Sequence, residues 1–272
     1  MDFTISPSQF NYPGLLEELL ESDTAYFRAA AECELVQGFQ ISHMPGLESL
    51  AAACVAHRIL KPGGRIQAQC LQAVEQRFLA LTCNHARFYQ QHPDDELESW
   101  FRENGYRPTR EIALLNTYDD PGFCEINDGN IQLRPVLTEH DWTLKLSIHQ
   151  DIPNGPDGHF SPAEEWLQLE RRKCAAGYME PFLIFREDMA CGAVNYAPGS
   201  QIGRLKNIVI HPCWQRKDIG AQAARLIAYM ARERGMSAAG CFAMEDGQAL
   251  SMYKKAGYFP VTVQTEWHKR LS

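Results

Sequence analysis

The sequence has 272 residues, 45% of them hydrophobic and 22% charged, with a formal net charge of −8 and a pI near 5.6. Single domains commonly hold about 100–200 residues, so the length favours two medium domains over one large one. The acidic balance argues against nucleic-acid binding, which usually shows a basic excess, and no segment approaches the ~20 apolar residues of a membrane span.

In the N-terminal part, the apolar run Leu50 to Val55 fits a central strand or a buried helix, and periodicity does not decide between them. Lys61-Pro-Gly-Gly-Arg65 reads as a turn, with anion binding as the weaker alternative. Leu97 to Pro108 reads as a short helix, a glycine stop at Gly105, an aromatic residue and a strand. The stretch Asn116 to Asn130 is rich in Asn, Asp, Gly and Pro and breaks both helical and strand periodicity. We place the boundary there, giving a domain at 1–118, a linker at 119–130 and a domain at 131–272.

After the linker, Ile131-Gln-Leu-Arg-Pro135 alternates like a strand. Thr138 caps a helix running toward His149. A second helix is expected with Ser161 as N-cap, Pro162 in the first helical position and Glu164 closing a capping box, ending before Gly177. Strands follow over Pro181–Arg186 and Met189–Tyr196, joined by a tight turn at Glu187-Asp188, then over Gly203–Ile210. The clearest helix begins near Ile219, with Ile219, Ala223, Leu226, Ile227 and Met230 on one face and Gly235 as its stop. A strand at Ala239–Met244, a short helix from Gly247 to Ala256 and a final strand pair from Tyr258 to Trp267 complete the chain.

Chemistry concentrates in the loop His211 to Ala221, between an apolar strand and that amphipathic helix. A helix start leaves several backbone N–H groups without partners, and the helix dipole adds positive character there. The combination is an anion site. Gln215, Arg216 and Lys217 add donors and charge, and Gly220 removes a Cβ from the path of a close ligand. A solvated basic turn capped by Asp218 is the alternative, which the flanking strand and helix outweigh.

Gln215-Arg-Lys-Asp-Ile-Gly220 resembles the acyl-CoA signature of the GNAT acetyltransferases, Gln/Arg-x-x-Gly-x-Gly/Ala. Ala249-Leu-Ser-Met-Tyr-Lys-Lys-Ala-Gly-Tyr258 is similar to a second element of that family, Ala-x-x-x-Tyr-x-x-x-Gly-Phe. Asp218 departs from the pattern, standing where the first glycine is usual. It could repel a pyrophosphate, or turn outward and cap the helix. The resemblance implies an α/β acyl-CoA N-acyltransferase fold, a mixed central sheet flanked by helices, with acetyl-CoA as cosubstrate and no metal. It implies that Ile208, Val209 and Ile210 border the pantetheine arm, with backbone groups of Ile208 and Ile210 pairing to it. It implies that the amides of Arg216, Lys217, Asp218, Ile219, Gly220 and Ala221 hold the pyrophosphate. Tyr253 falls where the family often places a general acid for the departing thiolate, and a core tyrosine is an equal alternative. For the general base, Glu245, Asp246 and His211 lie near the expected cleft, though capping or surface roles suit each of them better.

Leu97–Pro108 repeats the pattern of Ala249–Pro260, and Ile66–Gln72 can be laid on Ile219–Arg225. Gln67 then stands at the position of Gly220 and Phe101 at that of Tyr253. The N-terminal half therefore looks like a degenerate GNAT-like copy beside a competent one. The nine cysteines are scattered and form no Cys-x-x-Cys pair, so they are read as buried free thiols, and a cytoplasmic location is expected. The expected activity is direct attack of an amine on the thioester, with a non-catalytic acyl-CoA-binding module as the alternative. A small-molecule amine or a peptide is the expected acceptor, with no nucleic acid and no membrane, and a homodimer is the assembly to test.

Overall fold

The computed structural model of the protein describes residues 13–58, 68–91, 94–118, 131–152 and 162–271. Helix α1 (Pro13–Arg28) precedes β1 (Glu32–Val36), β2 (Phe39–His43), β3 (Cys54–Arg58), α2 (Ala68–Ala80), β4 (His85–Gln90), α3 (Asp95–Glu103) and β5 (Arg107–Asn116). The second half runs β6 (Ile131–Pro135), α4 (Glu139–Gln150), α5 (Ala163–Ala175), β7 (Glu180–Arg186), β8 (Met189–Pro198) and β9 (Ile202–Ile210). It ends with α6 (Ile219–Glu233), β10 (Ala238–Met244), α7 (Gln248–Lys255) and β11 (Phe259–Arg270).

Local chemistry explains most of these bounds. Thr138 opens α4 with a capping box: its hydroxyl accepts from the Asp141 amide at 3.2 Å, and the Asp141 carboxylate accepts from the Thr138 amide at 2.8 Å. Helix α6 buries a face of Ala223, Ala224, Ile227, Ala228 and Ala231, and these small residues let it lie close on β9. Gly105 and Gly257 end α3 and α7 in the same way, each at φ above +80°, followed by a buried tyrosine, Tyr106 or Tyr258, and a strand. This is the repeat expected from the sequence.

Three expectations need correction. Helix α5 starts at Ala163 with Pro162 as its flanking residue and no side-chain cap, and Ser161 lies outside the described residues. The final strand pair is one twelve-residue strand, β11, with a register step between Pro260 and Thr262. Its partners come from the other half of the chain. The apolar run at Leu50 becomes a 3-10 turn, Ala51–Ala53, leading into β3. The 119–130 linker, the Lys61–Arg65 turn, Ile66 and Gln67 all fall outside the described residues.

The eleven strands of the described residues form one sheet in the order β1-β2-β3-β4-β11-β5-β10-β9-β8-β7-β6. Each half has a parallel pair, β3 with β4 and β9 with β10. The ends are exchanged. Strand β11 of the C-terminal half runs between β4 and β5, while β5 of the N-terminal half runs between β11 and β10. Trp267 of β11 accordingly sits in the N-terminal core, fully buried, stacked on Phe101 at 4.9 Å and donating to Gln90 Oε1 at 2.7 Å. Because neither half has a complete sheet alone, chemical denaturation is expected to show one cooperative transition for the whole molecule. Trp267→Ala is expected to lower stability by about 3–5 kcal/mol. Two transitions, with only the N-terminal one sensitive to this change, would contradict the exchange.

Candidate functional site

The site begins where two neighbouring strands part. Strands β9 and β10 pair only from Ile202–Arg204 and Ala238–Gly240, and diverge beyond. A bulge in β9 accompanies the parting: Asn207 and Ile208 lie opposite the single residue Val194 of β8, and Asn207 takes φ +53°. Asparagine tolerates this left-handed conformation better than most side chains. The extra residue shifts the pleat, so Ile208 packs toward α6 while Val209 is buried with Trp142 and Leu167 on the α4–α5 side. The edge of β9 from Leu205 onward is therefore unpaired on the side facing β10.

From this edge the chain enters the loop. A 3-10 turn at Pro212–Trp214 is followed by Gln215, Arg216, Lys217 and Asp218, all exposed, and then by α6. Arg216 and Asp218 both have positive φ, +58° and +59°. Among the described residues, the amides from Arg216 to Ala221 have no backbone acceptor, and the first helical amide with one is Gln222, donating to the Asp218 carbonyl at 3.0 Å. The loop thus presents a run of free donors at the positive end of a fifteen-residue helix.

Side chains around it are partly committed. Gln215 Nε2 donates back to the Ile210 carbonyl at 3.1 Å, and Lys217 Nζ lies over the Trp214 ring at 4.6 Å. Asp218 adopts the left-handed conformation that the missing glycine would take easily. It holds the N-cap position without a side-chain cap, and its carboxylate turns to Lys255 Nζ at 2.6 Å. Gly220 is tight for a reason the sequence did not suggest: a Cβ there would meet Met252 Sδ of α7 at 2.4 Å. His211 is tied down at both nitrogens, by Asp151 at 2.9 Å and by the Cys213 amide at 3.2 Å.

Between β9 and β10 lies a cavity of about 280 Å³, lined by Asn207, Ile208, Phe242, Tyr253 and Glu111 among others. Tyr253 is buried, its ring 5.7 Å from that of Tyr258. Burial, with Cys241 nearby, raises its phenol well above the ordinary value against the pull of Arg204, so it stays protonated near neutrality. Glu245 and Asp246 are placed elsewhere. They line a larger cleft of about 950 Å³ beyond the β10–α7 turn, where Glu245 pairs with Arg110 at 3.0 Å. The two spaces meet at Met244, Gly247 and Gln248.

The cavity wall holds four charged residues that sequence reasoning missed, Arg87, Glu111, Arg204 and Lys206, three of them paired with acids behind it. Asp23 of α1 accepts from Arg204, from Lys206 at 3.2 Å and from Gln264 at 3.1 Å. Burial raises its carboxyl, but Arg204 and Lys206 outweigh this and hold it well below the usual range. Glu266 accepts from Arg87 and from the Tyr89 hydroxyl at 2.9 Å. Glu111 accepts from Gln264 at 2.9 Å; burial, then Glu266 and Asp23, push it up to about 7 despite Lys206. On the far side Glu170 binds Lys145 at 2.9 Å, Trp166 at 3.1 Å and Asn207 at 3.1 Å, which fixes the bulge. The only sequence signal for this network was charged residues within apolar strands, as at Arg204 and Lys206. Its partners are remote in the chain.

No protein-family model matches the chain, and no curated protein matches it in sequence. Solved structures do match in fold. A functionally unknown conserved protein from Staphylococcus epidermidis superposes with a TM-score of 0.69 at 13% identity, over 90% of this chain and 96% of that one. A GCN5-related N-acetyltransferase from Kribbella flavida gives 0.63 at 15% identity, over 95% and 93%. A tandem GNAT protein from the clavulanic acid biosynthesis pathway gives 0.55 at 9% identity, over 85% and 78%. With its one large mixed sheet flanked by helices, the chain therefore has the fold of these GNAT acetyltransferase structures.

Proposed function

We propose that the protein transfers an acetyl or other short acyl group from acyl-CoA to an amine, with the CoA held by the C-terminal half. The observation that carries this reading is the run of free amides from Arg216 to Ala221 at the start of α6, continuous with the unpaired edge of β9. Such a cradle suits a diphosphate, which accepts several N–H bonds at once. Ile208, Val209 and Ile210 form the adjoining edge. A hydrogen-bonding chain such as pantetheine can add to it as a further strand would. The thioester supplies the activated acyl group. Asp218 does not spoil the cradle, because its carboxylate is neutralised by Lys255.

Tyr253 is the residue suited to the leaving thiolate. A phenol kept protonated, and so neutral, by burial has a proton with which to hydrogen-bond the departing sulfur. The acceptor is a small amine or a peptide side chain. Glu245 and Asp246, on the larger cleft, are suited to binding the body of such an acceptor rather than its reacting nitrogen.

One observation favours a second reading, a non-catalytic acyl-CoA-binding module: an aspartate occupies the loop position where glycine is usual. Calorimetric binding of CoA beside thiol release from acetyl-CoA with a panel of amines separates the two. Binding with turnover supports the enzyme. Binding without turnover across the panel supports the module, and no binding removes both.

Asp218→Gly is expected to relieve the left-handed strain and to tighten CoA binding several-fold, with stability changing by no more than about 1 kcal/mol. Weaker binding would mean that the Asp218–Lys255 pair holds the loop open. Tyr253→Phe is expected to lower kcat by about 10²-fold while CoA affinity stays level. An unchanged rate would return Tyr253 to the core.

A further inference from the structure

Glu111 stands where the two halves of the sheet meet. It belongs to β5, and its neighbours in register are Met244 of β10 and Gln264 of β11. Met244 is the last residue of the strand that parts from β9, so Glu111 is level with the mouth of the opening. It lines the same cavity as Tyr253, Asn207 and Ile208. Glu111 is the acid in that lining, and the acids behind the wall are paired: Asp23 with Arg204 and Lys206, and Glu266 with Arg87. Glu111 accepts a hydrogen bond from the neutral amide of Gln264 and, among the described residues, forms no ion pair.

We propose that Glu111, brought to the site by the N-terminal half, is the catalytic base that takes a proton from the acceptor's ammonium group, so that the transfer site is built from both halves. The proposal rests on the acyltransferase reading above. The ammonium R–NH3+ gives one proton to the Glu111 carboxylate. The freed lone pair forms the C–N bond to the acyl carbon, the C–S bond breaks, and its electron pair leaves on sulfur. The new amide nitrogen sheds a second proton, which ends on the CoA thiol. Glu111 returns its own proton to water.

The groups facing Glu111 set its readiness. Gln264 and Glu266 approach from β11, Asp23 from α1, Arg204 and Lys206 from β9, and Arg87 and Tyr89 from β4; β10 presents the uncharged Met244. Burial and the two other carboxylates disfavour the anion, against Lys206, and leave the carboxyl titrating near pH 7. A base poised there is ionised often enough to act and basic enough to accept an ammonium proton. The sign for stability follows. Because the folded value lies above the unfolded one, stability contributed by protonated Glu111 is fully present in acid and is lost as pH rises through about 7.

The test uses the full-length protein, acetyl-CoA and a panel of primary amines: amino acids, polyamines, aminoglycosides and lysine-containing peptides. Wild-type kcat/KM is expected to rise with pH through about 7. E111Q is expected to lose about 10²–10³-fold in kcat and to lose that pH limb, with CoA affinity unchanged; E111D should recover part of the rate. E111Q is also expected to unfold at a higher temperature than wild type at pH 8, the difference vanishing in acid, so a lost rate is not a lost fold. E111Q with the wild-type rate, or with the same pH limb, overturns the proposal and leaves the acyltransferase reading intact. Wild-type protein that binds acetyl-CoA yet acylates none of the amines overturns both.

Discussion

A parallel strand pair that stops after three residue pairs is the constraint on which the site depends. Backbone groups left unpaired inside a sheet carry a free-energy cost unless something else satisfies them. Here the parting is held open from both sides. The left-handed bulge at Asn207 turns β9 away, and Glu170, fully buried and paired with Lys145, grips the Asn207 side chain from beneath. On the opposite flank Asp23 ties Arg204 and Lys206 to α1. Breaking one partner of such a buried pair leaves an uncompensated charge, which costs far more than the intact pair contributes. The opening is therefore braced from both sides, with the β9 edge left unpaired along it.

The exchange of end strands changes what each half is for. The N-terminal half has kept the sheet and the helix–glycine–tyrosine ending, but Phe101 replaces the hydroxyl-bearing Tyr253. Viewed as a separate domain it carries little chemistry. Viewed through the strand order, it supplies the strand next to β10, and with it the wall of the cavity that carries Glu111. Arg87 and Tyr89 of β4, also from the N-terminal half, position Glu266 of β11 behind that wall.

Most of the C-terminal half was legible in the sequence, because its signals are local. The Thr138 cap, the apolar face of α6, the Glu187-Asp188 turn and the glycine stops each act within a few residues, whereas the expected capping box at Ser161–Glu164 is not formed as read, α5 having no side-chain cap. The loop before α6 was legible for the same reason, since a strand, a basic turn and a helix start lie in succession. What stayed hidden depends on contacts between residues remote in sequence. Nothing near Phe259 says that its strand pairs with β4 and β5 rather than folding back on itself. Nothing near Glu111 distinguishes it from a solvent-facing residue of an edge strand. Gly220 reads in the sequence as room for a close ligand, while the atom that crowds it in the structure is Met252 Sδ, on a helix about thirty residues away. The partner of Asp218, Lys255, is likewise remote in sequence.

The exchange also bears on how the chain can assemble. Strand β11 is the last strand in the described chain, yet it lies in the middle of the sheet, directly against β4. During synthesis the N-terminal half emerges with the edge of β4 uncovered and with the space for Trp267 in its core empty. It cannot close until nearly all the rest of the chain has appeared. Pairings between residues so remote are slow to form, because much loop entropy is lost before any contact compensates. Until β11 arrives, the strand edge it will cover is the kind of bare edge through which chains associate.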